Sequence, residues 1–225
     1  TSFLGTHITV PHKVAVLQYL DELSPEAALM GAVNTVVFRD GKSLGENTDG
    51  KGFMRSLEQH GISPADRHVT IIGAGGAARA ISVELASKGA GKITILNRSR
   101  ERGEELAALL RDKTQTDAVW QPFVPECPIP SDSELVVQAT NIGLYPDPSC
   151  PPIDFSTLRP EMIVCDIIPN PIHTRFLARA AERGCVTLNG FDMLVNQGAV
   201  SFRLWTGVEP PLEVMKQALA AEYAD

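Results

Sequence analysis

The chain has 225 residues, of which 44% are hydrophobic, and a formal net charge of −7. That length allows one large or two small domains around a sizeable core, and the acidic balance speaks against a general nucleic-acid surface. No apolar run reaches the roughly 18 residues of a membrane helix and no signal peptide is visible. The four cysteines (Cys127, Cys150, Cys165, Cys185) have neither CxxC nor zinc-site spacing, so a cytoplasmic protein with no metal is expected.

The chain opens at Thr1 without a Met and runs almost at once into polar residues of functional type, so a segment upstream is expected. In the first zone, about 1–64, a short strand over 6–10 is stopped by Pro11. A helix over 12–23 follows, with Val14, Val16, Leu17, Leu20 and Leu23 as its apolar positions. Ser24 as N-cap and Pro25 at the first position start a second helix. A strand over 33–38 turns at Asp40-Gly41 into a return arm over 43–48, and a helix over 50–60 ends at Gly61.

The second zone, about 66–190, alternates strands (69–72, 92–96, 118–120, 135–139, 162–168, 185–188) with helices (76–88, 100–112, 173–183). Segments 124–133 and 146–152 read as loops. This alternation predicts a mostly parallel sheet with helices on both faces. Helices over 193–206 and 211–223, broken by Gly207-Val208-Glu209-Pro210, close the chain.

The most informative stretch is Gly73-Ala74-Gly75-Gly76-Ala77-Ala78, between the apolar run Val69-Thr70-Ile71-Ile72 and a good helix former. Gly73 permits a tight turn, Gly75 lets the backbone approach a pyrophosphate, and Gly76, Ala77 and Ala78 let helix and strand pack closely. A pyrophosphate there meets free N–H groups and the positive end of the helix dipole. Such a turn also occurs with no ligand; the second strand and its tip decide for a dinucleotide. An acidic residue at that tip would favour NAD. Here Asn97, Arg98 and Ser99 stand there, with Arg100 and Arg102 behind, and a guanidinium suits the 2′-phosphate of NADP.

Other polar residues lie where they need a reason. Lys13 in the first turn of a helix opposes the helix dipole and calls for an anion in front of it. Asn34 sits in a buried strand start, and Asp49 at a helix N-terminus, where an N-cap is the plain alternative. A Lys near an Asp suits hydride transfer at a secondary alcohol: the ammonium handles the alcohol proton and the carboxylate orients it. Both lie outside the nucleotide zone, which suits a substrate cleft between two domains. Gln197, by itself, reads as the polar face of a helix. The five histidines show no repeated metal spacing.

Together these residues resemble the shikimate dehydrogenase family over nearly the whole chain. Ile8-Thr9-Val10-Pro11-His12-Lys13 resembles its catalytic-lysine motif, and Gly31-Ala32-Val33-Asn34-Thr35 and Asn47-Thr48-Asp49-Gly50 its two substrate motifs. Gly73 to Arg79 resembles its phosphate loop and Asn97-Arg98-Ser99 its NADP-selecting tip. Asn170-Pro171 with Thr174, then Gly190 and Met193-Leu194-Val195-Asn196-Gln197, resemble its late motifs. The resemblance implies NADP-dependent, reversible reduction of 3-dehydroshikimate to shikimate. Lys13 and Asp49 are then the catalytic pair, and Thr9, Asn34 and Gln197 bind ring hydroxyls. Gly73, Ala74, Gly75, Gly76, Ala77, Asn97, Arg98, Ser99, Arg102, Thr140, Ile168, Gly190 and Met193 line the cofactor.

The α/β fold implied is a Rossmann-type NADP-binding domain (65–198) inserted in a smaller α/β substrate domain built from both chain ends (1–64 plus 199–225). The protein is expected as a monomer or homodimer with a small-molecule substrate, and with no nucleic-acid or membrane partner. Two segments depart from the family: Pro169 stands where a Tyr that helps hold the substrate carboxylate is usual, and Gln138-Ala139-Thr140-Asn141 replaces Asn-Ala-Thr-Ser. The family's Ser-rich carboxylate-binding segment precedes the lysine motif. A relative acting on quinate or aminoshikimate, and an NADP-binding module without catalysis, are the alternatives.

Overall fold

A computed structural model describes residues 3–9 and 11–223. The first part runs β1 (Gly5–His7), a 3-10 turn (Ala15–Tyr19), β2 (Glu22–Leu23), α1 (Pro25–Met30), β3 (Thr35–Arg39), β4 (Lys42–Glu46) and α2 (Asp49–Gln59). The second alternates β5 (His68–Ile72), α3 (Gly76–Ser87), β6 (Lys92–Asn97), α4 (Arg100–Lys113) and β7 (Asp117–Pro122). It continues through β8 (Cys127–Pro128), β9 (Leu135–Gln138), β10 (Ile153–Asp154), β11 (Ile163–Asp166), α5 (Arg175–Glu182) and β12 (Val186–Leu188). Helices α6 (Gly190–Thr206) and α7 (Leu212–Glu222) follow.

Six strands form one sheet in the order β12-β11-β9-β5-β6-β7, every neighbouring pair parallel. The central strands β5 and β9 are buried along their whole length, as a sheet covered on both faces requires. The chain leaves β5 towards β6 on one side and takes up β9 on the other. That reversal opens a crevice at the carboxyl ends of β5 and β9, the place where open α/β sheets bind ligands. The expected Rossmann-type α/β sheet is therefore present.

A second sheet, β1-β3-β4-β2, is built from the first part of the chain. Its β1/β3 and β3/β4 pairs are antiparallel, and β2 runs parallel to β4. Helix α6 spans the two sheets. It packs along α2, and near its far end the Trp205 indole N–H donates to the Val36 carbonyl at 2.9 Å. The late segment thus joins the first sheet.

Several elements differ from the sequence expectation. The helix over 12–23 is only the 3-10 turn Ala15–Tyr19, and the chain is extended again at Leu20. Asp21 and Ser43 explain this. The Ser43 N–H and hydroxyl donate to the Asp21 carboxylate at 2.8 and 2.7 Å, and the Asp21 N–H donates back to the Ser43 hydroxyl at 3.0 Å. These bonds draw Glu22–Leu23 into the sheet as β2. The apolar positions Val16, Leu17, Leu20 and Leu23 still pack on Ala27, Val33 and Val36, but from a turn and a strand. The first strand is described over Gly5–His7, and Val10 lies outside the described residues. Cys127–Pro128 pairs with Ile153–Asp154 inside what reads as loop. Helix α6 starts at Gly190 rather than Met193, because the Asn189 side chain caps it by accepting the Phe191 N–H at 3.1 Å.

All four cysteines are free. Burial pushes the thiols of Cys127, Cys165 and Cys185 up, as it does that of half-buried Cys150, which suits packed side chains. Among the described residues no helix is long and apolar enough to cross a membrane.

Candidate active site

Backbone bonds bring the first polar residues together. The Val33 N–H donates to the Lys13 carbonyl at 2.8 Å and the Ile8 N–H to the Asn34 carbonyl at 2.7 Å, so the turn carrying Lys13 lies along the entry to β3. Asp49 opens α2 directly after β4 and two connecting residues. Lys13 Nζ donates to Asp49 Oδ2 at 2.7 Å, with the two side chains only 19% and 11% exposed. Lys13 precedes the Val14 cap of the 3-10 turn rather than lying in the first turn of a helix, so no helix dipole opposes it as expected, but an anion does stand in front of it: Asp49. The plain alternative for Asp49 fails: Thr48 occupies the N-cap and no side chain caps α2 there. The Asp49 N–H is instead taken by Asn47 Oδ1 at 3.1 Å.

Asn34 holds the other carboxylate oxygen. Its Nδ2 donates to Asp49 Oδ1 at 2.8 Å and to Thr48 Oγ1 at 3.0 Å, while its Oδ1 accepts the Thr48 N–H at 2.7 Å. Both amide hydrogens are thus committed, and Asn34 fixes Asp49 before it can touch any ligand. A hydroxyl network continues from Thr48 to Ser201 at 3.1 Å, to Gln197 Oε1 at 3.3 Å and to Thr35 at 3.2 Å, and Thr35 meets Ser201 at 2.9 Å. Gln197 is half-buried and has no protein partner at Nε2 among the described residues, so that amide is open to a hydroxyl ligand. The structure thus brings Lys13, Asn34, Asp49 and Gln197 to one place. Thr9 is exposed just before the Lys13 turn and its carbonyl accepts the His12 N–H at 2.8 Å; it is not part of this network. Thr35, Thr48 and Ser201 are network members with no assigned role in the sequence reading. The only signal for them was position beside Asn34, Asp49 and Gln197.

A cleft lies at the sheet reversal. Gly73 adopts φ +114°, and a Cβ there would stand 2.9 Å from the Ala139 carbonyl and 3.0 Å from Thr140 Cγ2. Only glycine lets β5 turn so close to the end of β9. Gly75 and Gly76, by contrast, have open space where a Cβ would point. No contact among the described residues requires glycine there, and the bare backbone faces open space. A cavity of about 260 Å³ lies in front of them, lined also by Gly31, Arg79, Arg102 and Glu105. Ala74 and Ala77 flank this turn, partly exposed. Free N–H groups at the start of α3 and this cavity fit a dinucleotide pyrophosphate.

At the tip of β6, Asn97 Nδ2 donates to the Ser99 carbonyl at 2.8 Å and Ser99 Oγ caps α4 by accepting the Arg102 N–H at 3.4 Å. Trp120 braces the tip through its indole N–H to the Asn97 carbonyl at 3.0 Å. Arg98 is exposed with no ion pair among the described residues, whereas Arg100 is paired to Glu104. The tip therefore presents a free guanidinium and a fixed cap, a fit for a 2′-phosphate.

On the other side of the reversal, buried Asp166 ends β11. It accepts the Thr174 hydroxyl at 2.7 Å and the Ile168 N–H at 3.0 Å, holding the loop that carries Ile168, Pro169 and Asn170. Burial pushes its carboxyl up to about 6, against the lowering effect of those two donors. Thr140 Oγ1 accepts the Ile142 N–H at 3.1 Å in the loop after β9. Gly190 packs flush against the Ile167 backbone. Ile168 and Met193 are 2% and 7% exposed, so both sit largely in the core rather than in open space.

A parallel sheet with a glycine-rich turn at its reversal, a basic tip on the neighbouring strand and a shielded Lys–Asp pair across the crevice define a dinucleotide-dependent dehydrogenase. The comparisons specify it further. Family profiles described as Shikimate dehydrogenase substrate binding domain, Shikimate / quinate 5-dehydrogenase and Shikimate 5'-dehydrogenase C-terminal domain match residues 1–36, 56–121 and 190–220. The chain is 45% identical to the NADP(+) shikimate dehydrogenase of Desulforamulus reducens over 98% of its own length and 77% of that protein's. Among solved structures, a ligand-free 5-ketofructose reductase of Gluconobacter sp. superposes with a TM-score of 0.93 at 46% identity, covering 98% and 79% of the two chains. A shikimate dehydrogenase in complex with NADP+ does so with a TM-score of 0.92 at 39% identity, covering 99% and 77%. The chain belongs to the shikimate dehydrogenase family.

Proposed function

We propose that the protein is an NADP-dependent shikimate dehydrogenase, reversibly reducing 3-dehydroshikimate to shikimate. The observation that carries this reading is the Lys13–Asp49 pair at 2.7 Å, beside the open Gln197 amide and across from the glycine-rich turn. Bound NADPH supplies the hydride to the ketone carbon. Lys13 gives a proton to the ketone oxygen as that oxygen gains charge, and takes it back in the oxidative direction. Asp49 orients Nζ and balances its charge, and Asn34 keeps Asp49 in place. Thr9 and Gln197 bind ring hydroxyls, and Asn34 does so on releasing one of its present partners. Gly73 to Ala77 take the pyrophosphate and Asn97, Arg98, Ser99 and Arg102 the 2′-phosphate. Thr140, Ile168, Gly190 and Met193 shape the nicotinamide end.

On this reading residues 65–198 bind the cofactor, and 1–64 with 199–225 bind substrate, in a cytoplasmic monomer or homodimer. Initial rates of NADP+ reduction with shikimate, quinate and aminoshikimate, repeated with NAD+, test it. Lys13→Ala is expected to abolish turnover while NADP still binds; an unchanged kcat would remove Lys13 from the mechanism.

One observation favours a second reading. The loop after β11 carries Ile168-Pro169, which offers no side-chain donor to a carboxylate, and the ketofructose reductase is as similar to this chain as the curated shikimate dehydrogenase. A neutral polyol ketone is then the substrate. Faster NADPH oxidation with 5-ketofructose than with 3-dehydroshikimate would decide for it.

A further inference from the structure

The first turn of α3 holds a cation that no assigned role explains. Arg79 is the fourth residue of a helix whose start already carries partial positive charge, a position that disfavours a guanidinium. Its only ion pair among the described residues is to Glu105 on α4, NH2 to Oε1 at 2.7 Å. Glu105 is the wetter partner, 61% exposed against 27% for Arg79, and an ion pair that open contributes little to stability. Meanwhile Arg79 Nε is shut off from solvent with no acceptor among the described residues. A buried donor without a partner is costly, and a guanidinium has five donors in a planar fork made for two oxygens at once.

Both residues line the 260 Å³ cavity in front of Gly75 and Gly76, where Arg102, one turn before Glu105 on α4, also points. The cavity therefore gathers two guanidiniums, a helix N-terminus and one carboxylate. The carboxylate occupies the fork by default.

From this we infer that Arg79 is a phosphate-binding residue of the cofactor cleft and that Glu105 is its exchangeable counter-ion, which the incoming phosphate displaces. The inference rests on the dinucleotide reading of the cleft. Phosphate oxygens satisfy the unpartnered Nε, correct the unfavourable cation at the start of α3 and release Glu105 to solvent. Glu105 then sets a threshold: a ligand must outcompete it, so an uncharged group at the same place gains nothing from Arg79.

Calorimetric titration of the full chain with ADP, 2′-AMP and NADP tests this without turnover. Arg79→Gln is expected to weaken binding about tenfold or more, the loss of one charge-assisted contact. Arg79→Lys is expected to recover part of it, keeping the charge without the fork. Glu105→Gln is expected to tighten binding several-fold, a gain that misfolding cannot mimic. Loss confined to ADP would assign Arg79 to the pyrophosphate, and loss confined to 2′-AMP to the 2′-phosphate; either supports the inference. Asp112→Asn, at the far end of α4, changes the net charge as Glu105→Gln does and controls for it. Unchanged affinities in Arg79→Gln, a loss in Glu105→Gln, or equal tightening in Asp112→Asn and Glu105→Gln, would overturn it. A wild-type chain that binds none of the three would instead overturn the cofactor reading.

Discussion

Gly52→Ala sets two known effects against each other. Gly52 lies on α2 nearly one turn after Asp49, where α2 crosses α6. A methyl group there would stand 2.7 Å from both the Cβ and the backbone N of Gln197 and 2.8 Å from the Met193 carbonyl. Ordinary contact begins near 3.4 Å, so α6 must retreat by about 0.7 Å. The obstacles are backbone atoms, which cannot rotate away. Overpacking of this kind costs about 1–3 kcal/mol. Ala in place of Gly in a helix returns roughly 1 kcal/mol, leaving a net loss of about 1 kcal/mol. The effect on chemistry is larger in proportion. Gln197 already sits at 3.3 Å from Thr48, and the shift carries it away from the network that aligns Asp49. Misplacement by about 1 Å can cost on the order of a hundredfold, so kcat/KM is expected to fall by about tenfold or more. Urea unfolding and initial rates of shikimate oxidation measure the two terms separately. A variant about 1 kcal/mol more stable with unchanged kcat/KM would mean that the helices do not approach this closely.

Arg98→Asp is expected to weaken NADP by roughly ten- to a hundredfold while sparing NAD, in a fluorescence titration; equal loss of both would make Arg98 structural. Gly103→Ala places a methyl group inside the Trp120 ring, so the indole must leave the Asn97 carbonyl. A loss of about 2 kcal/mol, near 5 °C in melting temperature, is expected together with weaker NADP binding. An unaltered melting temperature would show that Trp120 does not brace the tip. Asp166 has its carboxyl raised from 3.8 to about 6 by burial, so between those pH values the folded state holds a proton that the unfolded state has lost. Stability from this group is full below about pH 4 and falls by about 3 kcal/mol as pH rises through 6. Asp166→Asn, which has no such titration, should gain stability relative to wild type between pH 4 and 7 in urea unfolding. A constant difference across that range would mean that Asp166 is ionised throughout.

The nucleotide half of the fold was legible because its signals are local. Buried strands such as Val69 to Ile72 are continuous apolar runs, and the turn after them needs glycine for a reason that sequence carries by itself. The first zone was less legible. Val16, Leu17, Leu20 and Leu23 have helical spacing, and that spacing does bury them together. The reciprocal bonds of Asp21 and Ser43 then impose an extended chain, and those partners lie 22 residues apart. Tertiary pairing overrides propensity there, and no local window contains it.

The site divides the same way, and the division has a physical cause. Lys13 and Asn34 stood out because each reads as costly where the sequence puts it, a cation at an expected helix start and an amide in a buried strand, whereas Asp49 stands at a helix N-terminus, where a carboxylate is favoured. Such residues report their partners in advance, since an unpaired charge or amide in those places would destabilise the fold. Thr35, Thr48 and Ser201 carry no such cost, because a hydroxyl on a strand or helix can bond to the nearest carbonyl. Their role comes only from the crossing of α2 with α6, which sets Ser201 beside two residues more than 150 positions earlier. Arg79 belongs with the costly residues, and unlike Lys13, whose expected helix is only the 3-10 turn Ala15–Tyr19, it does stand in the first turn of a helix. The rule that singled out Lys13 applies to it with equal force, and the anion that answers Arg79 in the bound protein is the phosphate that Glu105 replaces in its absence.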